Sequence, residues 1–394
     1  MMSTTRLSGS ELYCLAQKGY QAGNLVFGNS VYSRSAILSL SASVKAAVGC
    51  ELQQASKEAQ QARAKAYQRM KAEVPTDDKT SICGLSCNLI YYPDYLEFTI
   101  NGSLIHPLEK NKLPAFSSAA NGQELYAQLD AGYQPLSFAF GNAVYASGLA
   151  QGLGSSVKSF SRGEIKELSA TFEQTKNQVL ERLIRQAKEK DANALIGIET
   201  SIFPFGKACE MLMTGSACYN PQLSSLTPGE LITSGLKDTE LWNCAKLGYV
   251  PLRLLLATSI YSLGFVGNLV FSLKSFFRGE ATDLSKMMQE ARRKTLAKLD
   301  LQAKALGADE IMGVKTYVYS LGNGLLEFFA LGTAMKKLPQ VSTESEQLPP
   351  QAFSLQETLF YNGLGDLKKD SPFAALFQIL QTIHENSCHY PAVS

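Results

Sequence analysis

One fourteen-residue stretch recurs three times in this chain of 394 residues, as GYQAGNLVFGNSVY (19–32), GYQPLSFAFGNAVY (132–145) and GYVPLRLLLATSIY (248–261). We set Tyr20, Tyr133 and Tyr249 as position zero and count along each copy. The same residue types then recur over 64 positions without a gap. Copies that stay in register over this length must share one fold, so the chain consists of three repeats of one structural unit.

The recurring residues extend from before the zero tyrosine to the end of the register. They are Glu at −9 (Glu11, Glu124, Glu240), Tyr at +12 (Tyr32, Tyr145, Tyr261), Lys at +25 (Lys45, Lys158, Lys274), Glu at +31 (Glu51, Glu164, Glu280) and Gly at +64 (Gly84, Gly197, Gly313). The copies begin 113 and then 116 residues apart. Helical solenoid units span roughly 20–50 residues, so each copy is predicted to be a whole small domain.

The periodicity inside one copy predicts its elements. The stretch from zero to +12 is rich in aromatic and branched residues, as in a strand. A Gly/Ser-rich connector follows, and apolar residues then recur at three-to-four spacing, as on one face of a long helix. Two more apolar strands close the copy. The sequence therefore predicts an α+β chain of three β-α-β-β domains, with long helices over 51–72, 164–190 and 280–306.

Composition narrows the functional class. Apolar residues make up 45% of the chain and the formal net charge is +2, so we expect a globular protein and no nucleic-acid partner, which would require a basic surface. The N-terminal twenty residues lack the apolar core of a signal peptide, which predicts a cytoplasmic protein. Its eight cysteines are then expected to be reduced thiols.

The third copy resembles a known family. Its segment GADEIMGVKTYVYSLGNGLLEFFALGTAM (307–335) is similar to the C-terminal half of the YbjQ family, which is named for heavy-metal binding. Copy two matches with RGE, DANALIGIE and TGSACY, whereas copy one departs most, with Gly49-Cys50 where the others have Arg-Gly. The predicted domains are repeat 1 (8–108), repeat 2 (121–222) and repeat 3 (236–338), followed by a linker and tail helix (339–394).

The resemblance implies a dodecin-like β-α-β-β unit that assembles as a pentameric ring of single-domain subunits. Three domains per chain cannot fill a five-membered ring with whole chains. We therefore expect self-association between repeats, with a monomer or a dimer favoured over a large ring. The biochemical role of the family is not settled, so the resemblance implies architecture more than activity.

Metal binding is the first function to consider, because the family is named for it. Cys83 and Cys87 lie in one predicted strand, so their α-carbons are roughly 13 Å apart, too far to share one zinc ion. Apolar residues replace Cys83, Cys209 and Cys218 in the other copies, which indicates core positions. His384, Cys388 and His389 in the tail are the remaining weak candidates for a metal ion. We predict no resident cofactor, with a metal ion as the open alternative.

Catalysis has little support in the sequence. A Ser stands two residues before each recurring Lys, but nothing beside Lys45, Lys158 or Lys274 suggests a desolvated amine or an oxyanion hole. Those lysines, with Arg162 and Arg278, are expected to be connector residues. No histidine recurs between copies, so no acid–base set is predicted and the chain is expected not to be an enzyme.

A recurring glutamate in the third predicted strand is harder to explain. Glu97, Glu210 and Glu327 stand among apolar residues, where an unpaired carboxylate is costly. Each could face solvent at a sheet edge, pair with a Lys or Arg of an adjacent repeat, or line a ligand site between repeats. We favour the inter-repeat contact.

Two apolar segments suggest further docking surfaces. The run 254–273 has no charge over twenty residues, but by register it equals a strand plus a connector, so no transmembrane segment is predicted. Its part 263–277 is more apolar than the other connectors, which favours contact with a membrane surface or a protein partner as an alternative. In the tail, 371–386 predicts an amphipathic helix capped by Ser371.

These observations lead to two hypotheses of different class. The first is a non-enzymatic assembly or binding protein, in which three YbjQ-like domains pack around a pseudo-symmetry axis. The second is a carrier of a small ligand or heavy metal that uses clefts between the repeats. Bound metal or chromophore in the purified protein would favour the carrier.

Overall fold

The computed structural model describes residues 4–33, 49–76, 79–108, 113–146, 163–205, 208–224, 231–263, 282–322, 325–338 and 341–349. The connector candidates Lys45, Lys158, Lys274, Arg162 and Arg278 lie outside these residues. So do the tail candidates His384, Cys388 and His389, the predicted helix 371–386 and all but the first residue of 263–277.

Each repeat has the same five elements, and the predicted α+β architecture is confirmed. A leading helix precedes the first strand, a long helix follows it, and the second and third strands form a hairpin. The leading helices are Gly9–Gln17, Gly122–Asp130 and Asp238–Lys246. The first strands are Tyr20–Ser33, Gln134–Ala146 and Tyr249–Ser262. The long helices are Gln53–Lys71, Lys166–Lys188 and Thr282–Ala305. The second strands are Ser81–Tyr91, Ala194–Phe205 and Glu310–Gly322. The third strands are Tyr95–Pro107, Ala208–Tyr219 and Leu325–Lys337.

The leading helices were not expected from the sequence. Each begins with a backbone N–H that donates to the carboxylate of the recurring glutamate at −9. These bonds are Ser8 N–H to Glu11 (2.7 Å), Asn121 N–H to Glu124 (3.1 Å) and Lys237 N–H to Glu240 (3.0 Å). In repeats 1 and 2 the Ser8 and Asn121 side chains complete a capping box. The recurring glutamate at −9 is therefore a helix-capping residue.

All three sheets share one strand order. The third strand lies in the centre, with the first and second strands antiparallel on either side of it. The recurring Glu97, Glu210 and Glu327 therefore lie on central strands, which excludes the sheet-edge alternative.

The recurring glycine at +64 lies at a bulge in each second strand. The pairing register with the third strand shifts there, and Gly84, Gly197 and Gly313 have φ of 64°, 60° and 62°. Side chains other than glycine disfavour this left-handed conformation. The recurring glycine thus preserves a backbone irregularity that all three repeats share.

The long helices hold the chain together, because the first two contact two sheets each. The helix of repeat 1 packs on its own first and third strands and on the first strand of repeat 2. The helix of repeat 2 packs on its own sheet and on the first strand of repeat 3. Phe172, Val179 and Leu183 accordingly share one buried cluster with Leu254, Leu256 and Ile260 of the following repeat. Neighbouring repeats therefore have a continuous apolar core.

Neighbouring repeats also pair backbone groups at the sheet edges. Gly163–Glu164, just before the long helix of repeat 2, pairs with the first strand of repeat 3. Glu51 forms the corresponding bridge to Tyr145. On the opposite edge, Ile232–Thr233 pairs in parallel with the second strand of repeat 2, and Ser117 bridges to Ile82 in the same way. One or two residues of each internal edge are thereby paired with an adjacent repeat or with the segment that leads into it.

The uncharged run 254–273 begins as part of a strand, since Tyr249–Ser262 is the first strand of repeat 3. Within the described part of the chain, no helix has the length and apolar character that crossing a membrane requires.

Candidate functional site

The contact between repeats 1 and 2, here the first junction, contains a buried ion pair. Arg63 on the long helix of repeat 1 pairs through both terminal nitrogens with the Glu210 carboxylate on the third strand of repeat 2, and the Nη2–Oε2 distance is 2.8 Å. Asn142 Nδ2 donates to the same carboxylate at 2.7 Å. The Arg63 and Glu210 side chains are 2% and 0% exposed. A bidentate pair with an added hydrogen bond offsets much of the cost of burying charge.

The contact between repeats 2 and 3, the second junction, repeats this arrangement with different residues. Lys176 pairs with Glu327, and both side chains are 1% exposed. Thr258 occupies the position of Asn142, with its Oγ1 3.5 Å from Lys176 Nζ. The ammonium also lies 4.1 Å from the centre of the Phe329 ring, in cation–π contact. Burial lowers the pKa of Lys176 to about 7. Separating this pair would leave Lys176 buried without its partner, and burial would then favour the neutral amine at a cost in stability.

Glu97 in repeat 1 has a different environment. It accepts a hydrogen bond from Asn29 Nδ2 at 2.5 Å and another from the Tyr92 hydroxyl at 2.8 Å. Asn29 is the register counterpart of Asn142. Glu97 therefore has the equivalent amide partner, and both of these contacts lie within its own repeat.

A serine joins the repeats at both junctions. Ser56 Oγ on the first long helix accepts from the backbone N–H of Val144, at 2.8 Å. Ser169 Oγ accepts from the N–H of Ile260 at the same distance. Both serines lie at position +36, and both strand residues lie at +11. The long helix therefore satisfies backbone groups along the edge of the next sheet.

A second ion pair recurs at the rim of each junction. Arg182 donates to both carboxylate oxygens of Glu51, at 2.6 and 2.8 Å. Lys298, at the same register position, pairs with Glu164 at 3.1 Å. These cations belong to the following repeat, so ionic contacts run in both directions across each junction. Because Arg182 and Lys298 are about one-third exposed, solvent screens these pairs.

Asp130, at the end of the second leading helix, joins all three repeats. Its buried carboxylate accepts from Lys18 Nζ of repeat 1 at 2.8 Å and from Trp242 Nε1 of repeat 3 at 2.7 Å. Ser345 donates to it through its backbone N–H at 3.0 Å and its hydroxyl at 2.6 Å. Residues 341–349, which begin the predicted linker, are thus held against the leading helices. We call this cluster the Asp130 latch.

Hydrogen bonds determine the protonation of Asp130. Burial alone would raise the pKa of this carboxyl, but the hydrogen bonds from Lys18, Ser345 and Trp242 outweigh burial and hold the pKa below its usual value. For Lys18, burial acts in the opposite direction to Asp130 and Glu344, whose hydrogen bonds leave the pKa of the amine raised. Both groups are therefore favoured in their charged forms.

The donors that a heavy metal would require are poorly placed among the described residues. Cys83 and Cys87 pack in two different apolar clusters, and burial raises the pKa of both thiols to about 12. Metals bind the thiolate, which this burial disfavours. His106 Nδ1 lies 3.1 Å from the Thr80 hydroxyl. Within the described ranges, no three His, Cys, Asp or Glu side chains are close enough to hold one ion. The described residues therefore do not fit a soft-metal site.

One cleft opens at the second junction. It has a volume of about 340 Å³ and is lined by Glu164, Tyr261, Lys286 and Lys294, among others. Its lining carries both signs of charge, which suits a small polar ligand better than a purely apolar one.

The recurring glutamates could be identified from the sequence, whereas the cations that pair with them were missed. Arg63 and Lys176 both lie at +43, and Arg292 is the third member of that set. A cation at one position of the apolar helical stripe in all three copies was the available signal. The stripe alone does not reveal that the helix also faces the following repeat, so this cation could not be matched to its carboxylate.

The repeats are similar in sequence to several UPF0145 proteins. The UPF0145 protein of Psychrobacter arcticus is 31% identical over 111 residues, which cover 28% of this chain and 67% of that protein. The UPF0145 protein of Chromobacterium violaceum is 29% identical over 119 residues, which cover 30% of this chain and 97% of that protein. A Thermoplasma acidophilum UPF0145 protein is 32% identical over 77 residues, 20% of this chain and 65% of that protein. No solved structure gives a significant match.

The sequence profile of the YbjQ family, described as "Putative heavy-metal-binding", matches residues 16–88, 132–220 and 250–337. Each match coincides with one set of first strand, long helix and following strands, and repeat 1 is matched only as far as its second strand. The predicted resemblance is confirmed, and the chain belongs to the YbjQ family as a tandem array of three copies of its domain.

Proposed function

We propose that this chain is a non-enzymatic assembly and binding protein, in which three YbjQ-like domains are joined into one rigid unit. The observation that carries this proposal is the pair of equivalent buried ion pairs, Arg63–Glu210 and Lys176–Glu327. In repeats 2 and 3, the recurring glutamate of the central strand forms a contact with the preceding repeat. Buried ion pairs of this kind favour one specific packing over alternatives.

Unfolding experiments on the full chain test this proposal. If the repeats form one unit, thermal unfolding followed by circular dichroism and by calorimetry should give one cooperative transition. Glu210→Gln should separate repeat 1 from the rest, giving two transitions or a broadened one, because Arg63 loses its countercharge. Exposed Glu189→Gln is the matched control and should leave the transition unchanged. Independent unfolding of the repeats in the wild-type chain would contradict the proposal.

A carrier of a small polar ligand is the second candidate. The cleft of about 340 Å³ between repeats 2 and 3 favours it, because Lys286, Lys294 and Glu164 line an opening large enough for a small molecule. Elemental analysis and mass spectrometry of the purified protein under native conditions separate the two candidates. Stoichiometric metal or ligand would support the carrier, and a chain purified without either would support the assembly protein.

A further inference from the structure

Each junction joins a helix face of one repeat to a sheet face of the next, so a chain of three repeats has one face of each kind left over. The terminal helix face, on the long helix of repeat 3, contains Ser285, Arg292 and Leu296. The terminal sheet face, on repeat 1, contains Leu25, Phe27, Val31 and Glu97. By register, these residues correspond to those that form the two internal junctions.

The terminal helix face is exposed where its counterparts are buried. Lys176 and Leu180 of repeat 2 are almost fully buried against repeat 3. At the same positions in repeat 3, Arg292 is exposed and Leu296 is 39% exposed. Ser285, the counterpart of Ser56 and Ser169, is also exposed. This helix thus retains the residues that make a junction but contacts no following repeat in the described structure.

The terminal sheet face shows the same contrast. Phe27 and Val31 are 55% and 53% exposed. Their counterparts Phe140 and Val144 in repeat 2, like Leu256 and Ile260 in repeat 3, are buried. Apolar side chains in a row on one exposed face usually mark an interaction surface. Because both terminal faces are exposed, they do not contact each other within one chain.

Charge makes the two terminal faces complementary. Glu97 is held by Asn29 as Glu210 is held by Asn142, but only Glu210 has a cation from a preceding helix. Arg292 is at the register position of Arg63 and Lys176, and among the described residues it pairs with no carboxylate. Each face therefore supplies the charge that the other lacks.

We propose that a second copy of this chain docks head to tail, with the terminal helix face of one copy on the terminal sheet face of the other. This inference rests on the proposed assembly function and extends it to the partner. Arg292 pairs with Glu97 of the second copy, Ser285 accepts from the Val31 N–H, and Leu296 packs near Phe27. A head-to-tail contact forms a ring only when the rotation per junction closes, and our proposal is closure with two chains, that is, with six repeats.

The terminal contact is weaker than the internal ones. Thr99 and Asn101 stand on the sheet face of repeat 1 where repeat 3 has Phe329 and Leu331. Less apolar surface is therefore buried between chains than within one. Dissociation on dilution is expected between chains, whereas the internal junctions remain intact.

Charge reversal on the full chain tests the proposal. Sedimentation velocity of the wild-type protein is expected to show two chains per particle at micromolar concentration. Glu97→Arg and Arg292→Glu each place like charges in contact, and each should weaken association at least about 100-fold. An equimolar mixture of the two variants restores opposite charges at both contacts and should reassemble. Arg293→Glu is the matched control, because its counterpart Asn177 stays exposed at the second junction.

Three outcomes of this experiment would overturn the proposed docking between copies. A single-chain mass for the wild-type protein at all concentrations would overturn the proposal, whether another segment covers these faces or nothing does. Association that survives both charge reversals would overturn it as well, because a different surface would then be responsible. Failure of the mixture to reassemble would exclude contact between copies. In all three cases a single cooperative unfolding transition would leave the proposed function intact, so the two failures are distinguishable.

Discussion

At the scale of the residue, the two internal junctions neutralise a buried glutamate with different side chains. Arg63 forms a bidentate contact with Glu210, whereas Lys176 is a point charge that adds a cation–π contact with Phe329. The neighbouring polar residue changes with the cation, from Asn142 to Thr258. Arg and Lys are not interchangeable at a bidentate site, so each junction is adapted to its own cation.

The Lys176–Glu327 pair gives the first residue-scale prediction. Glu327→Leu leaves Lys176 buried without a countercharge and should lower the free energy of unfolding by about 3–5 kcal/mol. The double variant K176M/E327L removes both charges and should lie within about 1 kcal/mol of wild type, or above it. Urea unfolding of the full chain measures both. Asp300→Ala, in the exposed Lys304–Asp300 pair, is the control and should cost under about 0.5 kcal/mol. A Glu327→Leu cost no larger than this control would contradict the prediction.

At the scale of the element, the repeat is a three-stranded sheet with a long helix that has two apolar faces. The first face covers the helix's own sheet, and in the first two repeats the second face covers the next sheet. A single domain of this kind leaves the second face of its helix exposed. In the tandem arrangement, the next repeat covers the second helix face of repeats 1 and 2, so these two faces need no other protein chain.

The bulge in the second strand gives an element-scale prediction. Gly84→Ala and Gly197→Ala each place a side chain at φ near +60°, and a β-carbon there meets nothing closer than 3.5 Å. The cost should therefore be that of backbone strain alone, about 1–2 kcal/mol at each site. Gly9→Ala, at a helix start with open space around it, should be neutral or slightly stabilising. Thermal unfolding of the three variants checks this, and unequal costs at positions 84 and 197 would contradict it.

The sequence predicted the strands and long helices well, because their periodicity extends over 11–24 residues and recurs in three copies. The leading helices were missed because nine residues make only two and a half turns, too few for a periodic pattern. Their signal was local instead, in the caps Ser8 and Asn121 three residues before a glutamate. The Asp130 latch could not be predicted, since Lys18, Trp242 and Ser345 occupy unrelated register positions.

At the scale of the whole molecule, contacts of three kinds join the repeats. Long helices join neighbouring sheets, strand pairs cover the edges, and the Asp130 latch connects all three leading helices to residues 341–349. The latch is the contact that involves every repeat at once. Its loss should therefore affect the whole chain and not one junction.

The latch gives a prediction on pH. The folded pKa of Asp130 is lowered, so its contribution to stability is fully present above the ordinary aspartate value of 3.8 and is lost as pH falls through the folded pKa. Asp130→Asn should cost about 1–3 kcal/mol at neutral pH, because Lys18 loses its buried anion. The difference between wild type and variant should shrink as the pH is lowered below about 4. Unfolding midpoints measured across this range check the prediction, and a pH-independent difference would contradict it.

The latch also places the chain's one tryptophan where the three repeats meet. Trp242 is buried, donates its indole N–H to Asp130 and lies beneath the Lys246 ammonium. Indole emission shifts to longer wavelength when water reaches the ring. Strand residues of repeats 2 and 3 and residues 341–349 pack in the same cluster as this ring. The unlabelled protein therefore carries an intrinsic optical reporter, whose emission wavelength follows the opening of the region where the repeats meet.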